Sequence, residues 1–198
     1  VNELSEFLEK IGLHTQINLN DIPDIDLYMD QVIQLFEKKF NTVKRNDEEK
    51  ILTKTMINNY AKAKLFFPIK NKKYSREHLI LISLIYQLKG TLSINDIKEA
   101  MQELNEHIAN NDFPLEEFYD SYLKLSDKNE DRFKEDVQER AKEVKTEIEV
   151  LEEDQAQFQY LEKLLLILSL VNISNIYRRT AERLVDEIVE EAGRKDTK

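Results

Sequence analysis

The residues with chemistry to offer are concentrated between Lys50 and His78. That stretch carries Lys50, Lys54, Lys62, Lys64, Lys70, Lys72, Lys73 and Arg76 against one acid, Glu77, a local charge of +7 in a chain whose total is −10. Clustered cations neutralise phosphates and release their counterions, so the stretch has the footprint of an anion-binding surface. Among them lie Asn58 and Asn59, and an asparagine amide can bond adenine N6 and N7 together. From Glu99 to Asp154 the balance reverses to nineteen acids and seven bases, which would hold that half away from a polyanion. The plainer reading of both stretches is solvated helix faces.

Catalytic chemistry has little to draw on. His14, His78 and His107 are far apart in sequence and none pairs at metal-ligand spacing with another histidine. The chain lacks H-E-x-x-H, G-x-S-x-G and any glycine-rich phosphate loop, so no catalytic residue, metal or cofactor is expected. The absence of cysteine excludes disulfides and thiolate zinc sites and is compatible with a cytoplasmic location. The opening VNELSEFLEK has no basic or apolar leader pattern. The longest apolar run, Leu164 to Val171, is eight residues broken by Ser169, whereas a membrane span needs about 20. Neither a signal peptide nor a membrane segment is expected.

The elements that must position the basic stretch are helical, since the chain has only 3 Gly and 3 Pro with 34% charged residues. Leu4, Phe7, Leu8 and Ile11 make one face of a first helix, with Gly12 as its stop. Asp24 or Asp26 is expected to cap a helix with the stripe Met29, Val32, Phe36 and Phe40. Thr53 should cap a helix from Lys54 to about Leu65 that turns Ile57 and Tyr60 inward and Lys54, Thr55, Asn58, Asn59 and Lys62 outward, with Pro68 ending it. Phe67 to Tyr74 reads as a short hairpin with Asn71 near its tip. Ser75 and Ser93 should cap the next two helices. A further helix opens near Pro114 and runs to about Leu125, with a break at Ser126–Asn129. Beyond it Val137, Ala141, Val144, Ile148, Leu151, Gln155 and Phe158 keep a heptad step. The chain is then apolar nearly all round from Leu161 to Ile176, including Leu165 and Leu168, and such a helix must be wrapped by others of the same chain or of a second copy.

Taken in order, Ile57, Tyr60, Leu65 and Pro68, then Tyr74-Ser75, then Leu92-Ser93-Ile94-Asn95-Asp96-Ile97 resemble the DNA-binding half of the MerR-type regulators over about fifty residues. Asn58, Asn59 and Ala61 depart from that pattern. The wording TKTMINNY and KKYSREH more closely resembles an uncharacterised family of Gram-positive bacteria, domain of unknown function 1836, in which DNA binding is inferred. The resemblance implies a mostly α chain, with a MerR-like winged helix-turn-helix and a short two-stranded wing followed by a long-helix bundle or coiled coil.

The expected division is 1–23, an N-terminal helix and loop; 24–110, the winged module; and 111–198, an acidic helical region for dimerisation or regulation. The function expected is a cytoplasmic transcription regulator binding double-stranded DNA. Lys54, Thr55, Asn58, Asn59 and Lys62 would face the groove, with Lys70, Lys72, Lys73, Tyr74 and Arg76 on the wing and the helix after it. A homodimer would pair through Val137, Ala141, Val144, Ile148, Leu151, Phe158, Leu165 and Leu168; the alternative use of that stripe is an intramolecular core. The alternative function is a protein-interaction adaptor that uses the acidic half and does not bind DNA.

Overall fold

The computed structural model describes residues 2–13, 15–110, 112–150 and 155–195, without the side chains of Asn2, Glu3, Ser5, Lys10, Gln155, Ala156 and Lys195. The chain is mostly helical: α1 (Asn2–Lys10), α2 (Met29–Phe40), α3 (Lys54–Lys62), α4 (Arg76–Leu88), α5 (Ile94–Ala109), α6 (Leu115–Glu149) and α7 (Gln155–Lys195). Two short strands, β1 (Leu27–Tyr28) and β2 (Lys73–Tyr74), pair antiparallel with Leu27 opposite Tyr74 and Tyr28 opposite Lys73. It forms two compact units, residues 14–125 with 182–198, and residues 1–13 with 126–181. The boundary expected at 110 therefore falls at 125, inside α6, because Leu115, Tyr119 and Leu123 at its start are buried in the larger unit.

In the larger unit α4 is the central element. Its run from His78 to Ile85 is buried on every side, so it reads as a continuous apolar block rather than a stripe. Buried in the same unit are Val32, Phe36 and Phe40 of α2, Ile57 and Tyr60 of α3, Ile97 and Met101 of α5, and Tyr119 of α6. Phe36, Phe40 and Tyr86 form an aromatic cluster with ring centroids 4.6–6.0 Å apart. The Tyr119 hydroxyl donates to the Ile17 carbonyl at 2.7 Å, and burial pushes its phenol up to about 12.

Local signals explain most helix starts. Thr53 Oγ1 accepts the Met56 N–H at 3.1 Å, and Ser93 and Asp96 cap each other reciprocally at 3.1 Å. Helix α2 is a correction: Tyr28, not Asp24 or Asp26, stands before it, with its N–H donated to Gln31 Oε1 at 2.8 Å. After α1, Gly12 adopts φ 71°, the left-handed stop that glycine adopts most cheaply.

Helix α3 stops at Lys62, before Pro68 can act. The Leu65 N–H reaches the Tyr60 carbonyl at 3.0 Å and the Lys64 N–H reaches Ala61 at 3.1 Å, which is the Schellman closure with Lys64 as the left-handed residue, φ 58°. Leu65 and Tyr60 are both buried, giving the closure its apolar contact. The Asn105 amide of α5 donates to the Leu65 carbonyl at 3.0 Å and fixes this end of α3.

The smaller unit holds α1, α6 from Ser126 and α7 to Ala181. The break expected at Ser126–Asn129 does not occur; α6 runs through it. Val137, Val144 and Ile148 are buried within this one chain and Ala141 is half-buried. The structure thus takes up these expected dimer positions internally. On α7, Phe158 and Leu165 are half-buried and Leu168 is 55% exposed; Leu151 lies outside the described residues, as does the Gln155 side chain. By length and composition alone, Gln157–Arg194 could cross a membrane, a property the short apolar run at Leu164–Val171 does not announce.

Candidate nucleic-acid interface

Two neighbouring pieces of the larger unit, α3 and the turn before β2, assemble the basic surface, and α2 is their scaffold. It packs against α3, and it packs against both strands of the small sheet. At its N-terminus Asp30 pairs with Lys54 Nζ at 2.8 Å across to the start of α3. Two residues earlier, the Tyr28 ring lies under Lys73 Nζ, 5.2 Å from the centroid.

On α3 the turn of the helix puts Lys54, Thr55, Asn58, Asn59 and Lys62 in one exposed stripe, opposite the buried Ile57 and Tyr60. Apart from the pairing of Lys54 with Asp30, no hydrogen bond or ion pair among the described residues occupies these side chains.

The wing is a tight turn. The Lys73 N–H donates to the Lys70 carbonyl at 2.9 Å, and the two central residues, Asn71 and Lys72, have φ 51° and 59°. A positive φ at both central positions marks the mirror-image turn that suits the twist of paired strands. Asn71 tolerates it; Lys72 does so at a cost of about 1–2 kcal/mol. Lys70 and Lys72 are exposed at the tip, while Lys73 is half-buried. The expected hairpin is thus present at its tip, but its second strand pairs mainly with β1, two residues that the expected cap at Asp24 or Asp26 would place in the following helix.

Tyr74 and Arg76 do not present themselves on this surface. Tyr74 is 2% exposed and meets Phe66 and His78 edge-on. The Arg76 guanidinium donates to the carbonyls of Ile22 at 2.7 Å and Leu19 at 3.1 Å, and to Glu116 at 2.6 Å, with Asp24 at 3.3 Å. It clamps the 19–24 segment to α4 and α6.

His78 is buried under the wing. The Ser75 N–H donates to its Nδ1 at 3.1 Å, so Nδ1 is the acceptor and Nε2 carries the proton donated to the Phe67 carbonyl at 3.1 Å. Burial lowers its pKa, outweighing the Phe67 bond and the charges of Glu77 and Asp26. His107 is exposed, 3.0 Å from Asp112. His14 is outside the described residues. No metal-ligand cluster occurs among the described residues.

Sequence reasoning missed Tyr28, Asp30 and Lys64. Gln31, three residues after Tyr28, was the available signal for the first, as the N3 partner of a capped helix start.

Residues 17–122 match the model of a family described as a domain of unknown function, DUF1836. No family match supports the MerR-type resemblance. No curated protein and no solved structure matches the chain.

Proposed function

Because the chain belongs to the DUF1836 family, a domain of unknown function, we propose its role from its own geometry: a cytoplasmic transcription regulator of winged helix-turn-helix type that binds double-stranded DNA. The observation that carries the reading is the exposed stripe Lys54, Thr55, Asn58, Asn59 and Lys62, of which only Lys54 has a side-chain partner among the described residues, set beside a lysine-tipped turn by the shared scaffold of α2. In this reading α3 enters the major groove, Asn58 and Asn59 bond base edges, and Lys70 and Lys72 hold phosphates. Each good bidentate amide contributes about 1–3 kcal/mol of discrimination. Tyr74 supports the wing from within, and Arg76 holds the 19–24 segment rather than a phosphate.

Anisotropy of a labelled mixed-sequence duplex, titrated at several salt concentrations, tests this. Each neutralised phosphate contributes about −0.9 to the slope of log K against log salt, so Lys54, Lys62, Lys70, Lys72 and Lys73 together give roughly −4 to −5. Lys72→Glu with Lys73→Glu should remove at least about two of those units. No binding at about 50 mM salt, where phosphate contacts are strong, would sink the reading.

The exposed acids of α6, such as Glu117, Asp127, Asp131, Glu135 and Glu139, favour a second reading, an adaptor for a basic protein. Under it the same double variant leaves the protein complex intact.

A further inference from the structure

Helix α7 is apolar on two faces between Phe158 and Ala181, and the smaller unit covers one of them. The covered face carries Phe158, Leu161, Leu165, Ser169 and Ile173, all half-buried; Arg140 of α6 reaches Ser169 Oγ there at 3.4 Å. The opposite face carries Tyr160, Leu164, Ile167, Val171, Ser174 and Arg178, in alternating steps of four and three. Tyr160 is 64% exposed, Ile167 56%, Val171 53%, and the adjoining Leu168 55%. We infer that this outward face is where a second copy of the chain packs, helix against helix. The inference does not depend on DNA binding.

Three observations favour a second copy over lipid. The stretch without charge, Leu164 to Tyr177, is fourteen residues between Lys163 and Arg178, about 21 Å of helix against the ~30 Å hydrocarbon core. Asn172, Ser174 and Asn175 are exposed within it, polar groups that lipid cannot satisfy, and Ser174 lies on the seam itself, where a paired helix can satisfy it. The step of four and three is the period of a coiled-coil seam. Side chains of this size, more than half exposed, leave on the order of 400 Å² bare in the four residues, a large patch for a monomer; that is about half of one side of a standard interface, so Leu164, Ser174 and the flanking turns of the same face must supply the rest.

The test is the mass of the full chain by sedimentation equilibrium across about 1–100 μM, without DNA or lipid, for wild type and for Ile167→Lys with Val171→Lys. A dimer that becomes a monomer in the double variant, with helical circular dichroism retained, is the expected result. Should that variant lose helicity, Ile167→Ser alone should raise the dimer dissociation constant at least tenfold. A wild-type monomer throughout the range overturns the inference, and so does a dimer unmoved by either variant. Co-sedimentation of a monomeric wild type with phosphatidylcholine–phosphatidylglycerol vesicles, abolished in the double variant, would assign the face to lipid and also overturn it.

Discussion

Replacing Lys64 by glycine should make the protein more stable, although it deletes a side chain and adds flexibility. Lys64 closes α3 in the left-handed region at φ 58°, where an L-residue costs about 1–2 kcal/mol because its Cβ crowds the following carbonyl. Glycine removes that crowding and gives back about 0.5–1 kcal/mol through the extra freedom of the unfolded chain. Nothing else offsets the gain. The side chain is exposed and makes no ion pair among the described residues, and both closing hydrogen bonds are backbone bonds that glycine keeps. The net expectation is about 0.5–1 kcal/mol of added stability, or about 1–4 °C in Tm for a chain of this length. Urea unfolding followed by circular dichroism should show a higher midpoint at unchanged slope. Lys64→Ala removes the same charge and keeps the Cβ, so it should gain nothing. If the alanine variant equals the glycine variant, the effect belongs to the charge and the backbone argument is wrong.

Lys72→Gly should stabilise the wing turn by a similar about 0.5–1 kcal/mol, yet under the proposed function it should flatten the salt dependence of duplex binding by about 0.9; a stabilised variant with an unchanged slope would remove Lys72 from the interface. His78 is held neutral, its folded pKa depressed below the ordinary 6.5. The unfolded chain therefore takes up the proton first, and the contribution of His78 is complete above about pH 6.5 and lost as pH falls through the folded value. Thermal melts between pH 7.5 and pH 5 should fall more steeply for wild type than for His78→Gln, which keeps an acceptor for the Ser75 N–H but cannot charge. Tyr119→Phe leaves the Ile17 carbonyl without its buried donor and should cost about 1–3 kcal/mol in the same urea assay. Arg76→Lys should cost about 3 kcal/mol, because a single ammonium cannot span the Leu19 and Ile22 carbonyls and Glu116 together; a loss under 1 kcal/mol would show that the clamp adds little.

Elements announced by a local chemical signal were legible. Thr53 and Ser93 cap the helices they were expected to cap, Gly12 stops the first helix, and Asn71 sits in the turn. Where the signal was replaced by an unusual residue, the reading failed. Lys64 performs a stop that glycine usually advertises, so the end of α3 was assigned to Pro68. Glu130 stands on the buried stripe of α6, seven residues after Leu123 and seven before Val137. Its carboxylate pairs with Lys134 at 2.7 Å, so the helix continues in space where the apolar pattern lapses in the letters. The two residues of β1 are too few to show a period. Arg76 counts as one more cation in a charge tally, and only its carbonyl partners reveal a clamp. Of the expected surface, the α3 stripe and the tip of the turn were legible because exposed polar residues at helical spacing need no partner to be recognised.

The bond from Tyr119 to Ile17 joins residues 102 apart, and this separation bears on how the chain is made. At a synthesis rate of about 5–20 residues per second, roughly 5–20 s pass between the emergence of the two partners. During that interval Ile17 and Ile22, buried in the finished unit, have no α6 to close over them. The newborn larger unit is thus an open shell awaiting the wall that α6 supplies, and slowed translation between Asn110 and Tyr122 should lengthen its exposure to chaperones and proteases.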